Sequence, residues 1–246
     1  LVVSAHLDTV FPLETPLEVQ REAERIAGPG IGDNSLGVAG LLGLAWLLRQ
    51  QGITLPGDVW LAANVGEEGL GNLLGMKAVV ERFGADVRAY VVLEGMGLGH
   101  IYHRGLGVER YRISVHTQGG HSWVDYGRPS AVHELARIAA RLAGLEIPAQ
   151  PRTSLNVGVI AGGTSVNTIA SEAYLEVDLR SEAAGARLNL ARRVEAVVKA
   201  AHEPGSVQTR AVRIGQRPAG GIPSDHPLVR AAVRCAEQQG LTPHLH

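Results

Sequence analysis

Short uninterrupted apolar runs, each ending in acidic or imidazole residues, punctuate the first hundred positions of the chain. Leu1-Val2-Val3 leads to His6-Leu7-Asp8, Val59-Trp60-Leu61-Ala62-Ala63 to Glu67-Glu68, and Tyr90-Val91-Val92-Leu93 to Glu94. Runs of this kind predict strands covered on both faces, as in a parallel sheet; strict alternation would instead predict one wet face. Gly37 to Gln51 is apolar all round, which predicts a helix buried against that sheet. Gly75 to Phe83 predicts a second, shorter helix stopped at Gly84. The alternation of strand and helix implies crossover connections and a largely parallel α/β sheet.

Beyond Gly105-Leu106-Gly107 the period changes. Arg110 to His116 alternates apolar and polar residues, as a strand with one solvated face does. A helix at 131–142, strands at 155–160 and 173–179, a helix at 186–201 and a strand at 207–214 follow. That order, β-α-β-β-α-β, is the ferredoxin-like arrangement. Pro218 to Pro223 reads as a link, and Ser224-Asp225-His226-Pro227 opens a further helix. The expected organisation is therefore a metal-binding domain begun over residues 1–106, an inserted ferredoxin-like α+β unit over 107–215, and a return to the first domain over 216–246.

Composition narrows the classes. A 45% hydrophobic content supports a packed core, and a net charge of −1 offers no electrostatic case for nucleic acid or an anionic membrane surface. The single cysteine, Cys235, excludes an intrachain disulfide and suits a reducing, cytoplasmic setting. The apolar stretch Leu36 to Leu48 is broken by glycines and shorter than the roughly 18 residues of a membrane span. The chain opens inside a strand-like run without a methionine and closes on another, which reads as a piece of a longer protein.

Open α/β sheets place their ligand crevice beyond the carboxyl ends of the strands, where these polar clusters fall. One histidine with several carboxylates makes a nitrogen-and-oxygen metal site, suited to zinc, manganese or cobalt. His6 and Asp8, two apart, face one side of an extended strand end. Asp33, in Gly30-Ile31-Gly32-Asp33-Asn34, is equally a candidate metal ligand and a candidate helix cap. Adjacent Glu67 and Glu68 repel unless a cation or a shared proton offsets them. One can then bind metal while the other acts as general base.

These residues, in this order, resemble the M20 metallopeptidases, which include aminoacylases, glutamate carboxypeptidase, succinyl-diaminopimelate desuccinylase and tripeptide aminopeptidase. The resemblance continues through Gly119-Gly120-His121-Ser122, Gly162-Gly163-Thr164-Ser165-Val166-Asn167-Thr168-Ile169 and Asp178-Leu179-Arg180. It implies two divalent ions, with Asp33 bridging them, His6 and Glu94 on one and Glu68 on the other. Glu67 would be the general base and Asp8 would steer His6. The inserted unit would be a lid and dimerisation domain supporting a homodimer. There His121 would donate to the oxyanion, and Asn167 and Arg180 would hold the substrate, a small peptide or N-acyl amino acid. Read from the residues alone, His121 is also an ordinary loop histidine and Arg180 a solvated strand residue. The family's last ligand, a C-terminal histidine, would lie beyond residue 246; His100, His103, His116, His133 and His226 match no ligand position.

The leading expectation is amide hydrolysis, with aminopeptidase, carboxypeptidase and acylase substrates all open. The alternative is a non-catalytic metal-binding or dimerisation module, or an inactive truncated hydrolase. A dinucleotide binder would rest on Gly30-Ile31-Gly32 alone, without the third glycine of the fingerprint.

Overall fold

The computed structural model describes residues 1–95 and 97–246. It divides into two compact units, Leu1–Ile101 with Ala231–Leu245, and Tyr102–Arg230 with His246.

In the first unit, β1 (Val2–His6) is buried along its whole length. It lies between β2 (Trp60–Asn64) and β3 (Tyr90–Val92), parallel to both. That central place explains why its sequence is a continuous apolar run. Helix α1 (Leu36–Gln50) follows β1 and α2 (Leu74–Phe83) follows β2. Val3, Ala5 and Leu41 form a small buried core, flanked by Val38, Leu44, Val59, Val91 and Leu93.

Helix α1 departs from the expectation of all-round burial: Leu42, Trp46 and Leu47 are 70%, 62% and 46% exposed. A helix laid on one face of a three-stranded sheet covers only one stripe of its surface. By length and composition, Ile31–Gln50 is long and apolar enough to cross a membrane. Its first five residues, however, are no regular helix, because Asp33 (φ −123°, ψ 93°) and Asn34 (φ −136°, ψ 37°) leave the helical region. The regular 15-residue helix spans about 22 Å at 1.5 Å per residue, against about 30 Å of bilayer hydrocarbon.

The second unit is a four-stranded antiparallel sheet formed by β4 (Gly107–Thr117), β5 (Thr153–Gly162), β6 (Glu172–Ser181) and β7 (Val207–Arg217), in the order β5-β6-β4-β7. Helices α3 (Ala131–Ala143) and α4 (Ala184–Ala200) pack on it. Ile113, Val115, Leu135, Ile138, Leu175, Leu179 and Val194 are fully buried between sheet and helices. The order and the two crossing helices make this unit ferredoxin-like. At one end of that core Glu109 and Arg187, both buried, form an ion pair. Tyr111 Oη donates to Glu109 at 2.7 Å. Burial and the neighbouring Glu195 carboxylate push the Tyr111 hydroxyl up to about 12. Helix α5 (Pro227–Gln238) begins at the proline the sequence marks.

Candidate metal centre

The carboxyl ends of β1, β2 and β3 carry His6, the Glu67–Glu68 loop and Glu94, and the turn before α1 carries Asp33. Parallel strands in register deliver all of them to one edge: His6 pairs with Asn64, and Ser4 with Val92. One nitrogen of His6 and one oxygen each of Asp33 and Glu68 lie within 4.8 Å of one another. His6 Nε2 lies 3.0 Å from Asp33 Oδ1 and 3.5 Å from Glu94 Oε2.

The histidine is oriented by its other nitrogen. Nδ1 sits 2.9 Å from the backbone carbonyl of Asp8, so in the neutral ring it carries the proton and donates it. That leaves a lone pair on Nε2 facing two carboxylates. Nε2 is buried and, despite its nearness to Asp33, lacks hydrogen-bond geometry; Glu68 Oε1 is also buried without a hydrogen-bond partner. A lone pair surrounded by carboxylate oxygens is stable only with a cation or a proton between them. The donor set therefore fits a divalent metal ion.

The same geometry governs the protons of the metal-free protein. Burial opposes a charged His6, but the Asp8 carbonyl and the carboxylates of Glu94, Glu67 and Asp33 outweigh it and raise the imidazole above its ordinary value. Burial, with the negative charges of Asp33 and Glu67, raises Glu68. Burial also works against ionised Asp8, yet hydrogen bonds from the Glu68 and Glu67 amides hold it below the usual carboxylate range.

Those hydrogen bonds give Asp8 a definite structural part. Its two oxygens accept the backbone N–H of Glu67 at 3.3 Å and of Glu68 at 2.9 Å. Its carboxylate is 3.5 Å from His6 Nδ1, so the nearer contact to the imidazole is the Asp8 carbonyl. Asp8 thus anchors the double-glutamate loop to β1. The loop itself folds back tightly: Gly71 N–H donates to Glu68, Leu74 to Gly66 and Gly75 to Val65. Asn72 and Leu73 take left-handed conformations there, at φ 55° and 61°, which side-chain-bearing residues adopt at a cost.

Asn34 is the site residue that sequence reasoning missed. It is 2% exposed; its Oδ1 accepts Gly37 N–H at 2.9 Å, and its Nδ2 donates to the Leu93 carbonyl at 2.8 Å. Asn34, not Asp33, therefore supplies the side-chain acceptor to the first turn of α1, and the Asp33 carboxylate lies beside His6. The available signal was a capping-type asparagine three residues before a glycine near a helix start. The Asp33–Asn34 peptide is cis.

The other predicted residues belong to the second unit. Gly120–His121 pairs with Thr168–Ile169, and Ser122 N–H donates to the Asn167 carbonyl, so His121 and Asn167 are neighbours. The exposed His121 ring accepts the N–H groups of Trp123 and Val124 at Nδ1, at 3.3 and 3.4 Å, which puts its proton on Nε2. Arg180 lies on β6 with its Nε 2.6 Å from Asp178 Oδ2. Arg110 approaches the same carboxylate at 2.8 Å. Against the cost of burial, the two guanidinium groups hold Asp178 below the usual carboxylate range.

Residues 2–246 match the family described as peptidase family M20/M25/M40. The chain belongs to this family. An M20 domain-containing protein of Schizosaccharomyces pombe is 30% identical over 187 residues, covering 73% of this chain and 44% of that protein. The chain thus spans less than half the length of that relative. Among solved structures, a tripeptidase from Staphylococcus aureus superposes with a TM-score of 0.79 at 20% identity, covering 99% of this chain and 65% of that one. The aminopeptidase PepT of Bacillus cereus gives 0.73 at 21% identity, covering 100% and 65%. At these identities the two likenesses establish the mixed α/β fold.

Proposed function

We propose that the protein of this chain hydrolyses the amide bond of a small peptide or N-acyl amino acid at a centre of two divalent cations. The observation that carries the reading is the buried, unpartnered Nε2 of His6 facing the carboxylates of Asp33 and Glu94, with Glu68 alongside. Membership of a peptidase family supports the reaction class. The nitrogen-and-oxygen donor set supports zinc, with cobalt and manganese as substitutes.

Asp33, His6, Glu94 and Glu68 would hold the ions, with Asp33 serving both, His6 and Glu94 one of them and Glu68 the other. When bound, such ions polarise the scissile carbonyl and make water a nucleophile at neutral pH. Glu67 takes the proton of the attacking water and delivers it to the departing amine. Asp8 holds both glutamates in place through their amides. In the second unit His121, with its proton on Nε2, stabilises the oxyanion, and Asn167 and Arg180 hold the substrate. Arg180 suits a substrate carboxylate through its planar fork of donors. The same unit serves as lid and as the interface of a homodimer.

Hydrolysis of a free-amine tripeptide and of its N-acetylated form, with zinc, cobalt or manganese, tests this. Turnover that disappears on chelation and returns with metal supports it, and preference between the two substrates sorts aminopeptidase from acylase. Inertness towards both with every metal overturns it.

A further inference from the structure

Two loops that carry facing carboxylates are clasped together just behind them. The buried amide of Asn34 accepts Gly37 N–H in the first turn of α1 and donates across to the carbonyl of Leu93, the residue before Glu94. On the other side of Glu94, Gly95 meets the carbonyl oxygen of Gly32, the residue before Asp33, so closely that a Cβ at position 95 would collide with backbone. Gly37 likewise has no room for a Cβ, because the Asn34 side chain fills that space. Asp33 and Glu94 are thus each flanked by residues that bind the two loops to one another. His6 Nε2 faces both carboxylates, at 3.0 and 3.5 Å.

We propose that Asn34 is a positioning residue, which sets the separation of Asp33 and Glu94 around His6 and thereby tunes metal affinity, with the Gly32–Gly95 contact as the second point of the clasp. The proposal rests on the metal-site reading above. Its physical basis is that Asn34 satisfies a buried backbone N–H and a part-buried backbone carbonyl, far apart in sequence, with a single amide. Neither half can be lost without leaving a buried donor or acceptor unmet. Groups that hold ligands in place typically contribute 10–100-fold to metal affinity when removed.

Asn34→Asp tests it: the variant keeps an acceptor for Gly37 N–H and turns an oxygen towards the Leu93 carbonyl in place of the donor. Asn34→Ser, which keeps a capping oxygen but is too short to bridge, is the companion should the charged variant fold poorly. Zinc titration calorimetry on the full chain reads the affinity, and the visible absorption of the cobalt form reads the ligand geometry. The expected result is about 10–100-fold weaker zinc binding with an altered cobalt spectrum. In a Glu94→Ala background the same change should cost less than about 3-fold, because its effect runs through Glu94. Equal losses in both backgrounds, or unchanged affinity with an unchanged spectrum, overturn the positioning role while leaving the metal site standing. Failure of the unmodified chain to bind zinc overturns the metal-site reading and this proposal with it.

Discussion

The carboxylate of Asp8 accepts the backbone N–H of Glu68 at 2.9 Å, tying the end of the central strand to the loop that carries the double glutamate. With the companion bond from Glu67 N–H, it gives Asp8 two charge-assisted contacts to the segment that holds a metal-ligand candidate and the candidate base. Asp8→Ala should therefore destabilise the metal-free protein by about 1.5–3 kcal/mol, the usual size for hydrogen bonds to a charged group. Thermal unfolding checks this. A change within about 0.5 kcal/mol, typical of an uninvolved surface site, would remove Asp8 from this role.

Glu67 and Glu68 should separate cleanly on substitution. Glu67→Ala leaves zinc affinity within about 3-fold but lowers turnover by about 100-fold or more, the usual contribution of a general base. Glu68→Ala instead lowers zinc affinity. Calorimetry beside a peptide-hydrolysis assay distinguishes them, and the opposite pattern would exchange the two roles.

Proton release on metal binding follows from the raised pKa of His6 and Glu68 in the metal-free site. A protonated His6 must give up its proton to a cation, and its raised value places that step above pH 6.5, so zinc affinity should rise with pH through neutrality; the raised Glu68 extends the same dependence upward from the ordinary carboxylate range. Calorimetry in buffers of different ionisation enthalpy measures the protons released. Binding with no proton release near pH 6.5 would contradict the site's electrostatics.

Without metal, His6 acts on stability in the opposite direction. Its folded pKa lies above the unfolded value, so its contribution is full below that unfolded value and is lost as pH rises through the folded pKa. The stability difference between the unmodified metal-free protein and His6→Gln should shrink as pH increases from 6 to 8. Asp8 has the reverse sign: its pKa is depressed, so its contribution holds above the unfolded carboxylate value and is lost as pH falls through the folded one. Chemical denaturation across pH, compared with each variant, reads both slopes.

The buried Glu109–Arg187 pair should be costly to break from one side. Arg187→Met leaves the buried Glu109 carboxylate with Tyr111 Oη and the half-exposed Arg213, 3.5 Å away, and should destabilise the protein by about 3 kcal/mol, the lower end for a broken buried pair. Adding Glu109→Leu should restore part of that loss, because both desolvated charges are then gone. A double variant no more stable than the single one would show that packing, not charge, dominates there.

The sequence by itself determined the layered plan and the donor types. The continuous apolar run at β1 reflects a strand covered on both faces, whereas the similar runs at β2 and β3 lie on the two outer strands, where Trp60, Leu61 and Val92 are exposed; the alternation along β4 reflects one wet face. These are local periodicities that survive without knowledge of neighbours. The positions of His6, Glu67, Glu68 and Glu94 at or just past the ends of those runs were legible because a strand end fixes where the next residues emerge, and Asp33 was legible only as a carboxylate in the glycine-rich turn before α1. Only the tertiary structure decided which groups meet. The Asp8 carboxylate reaches amides 59 and 60 residues away, and Asn34 reaches a carbonyl 59 residues away. No local pattern specifies such partners, because they are created when β1, β2 and β3 align in register. The exposure of one side of α1 was hidden for the same reason: an all-apolar helix states that it can be buried, and the surrounding layers decide how much of it is.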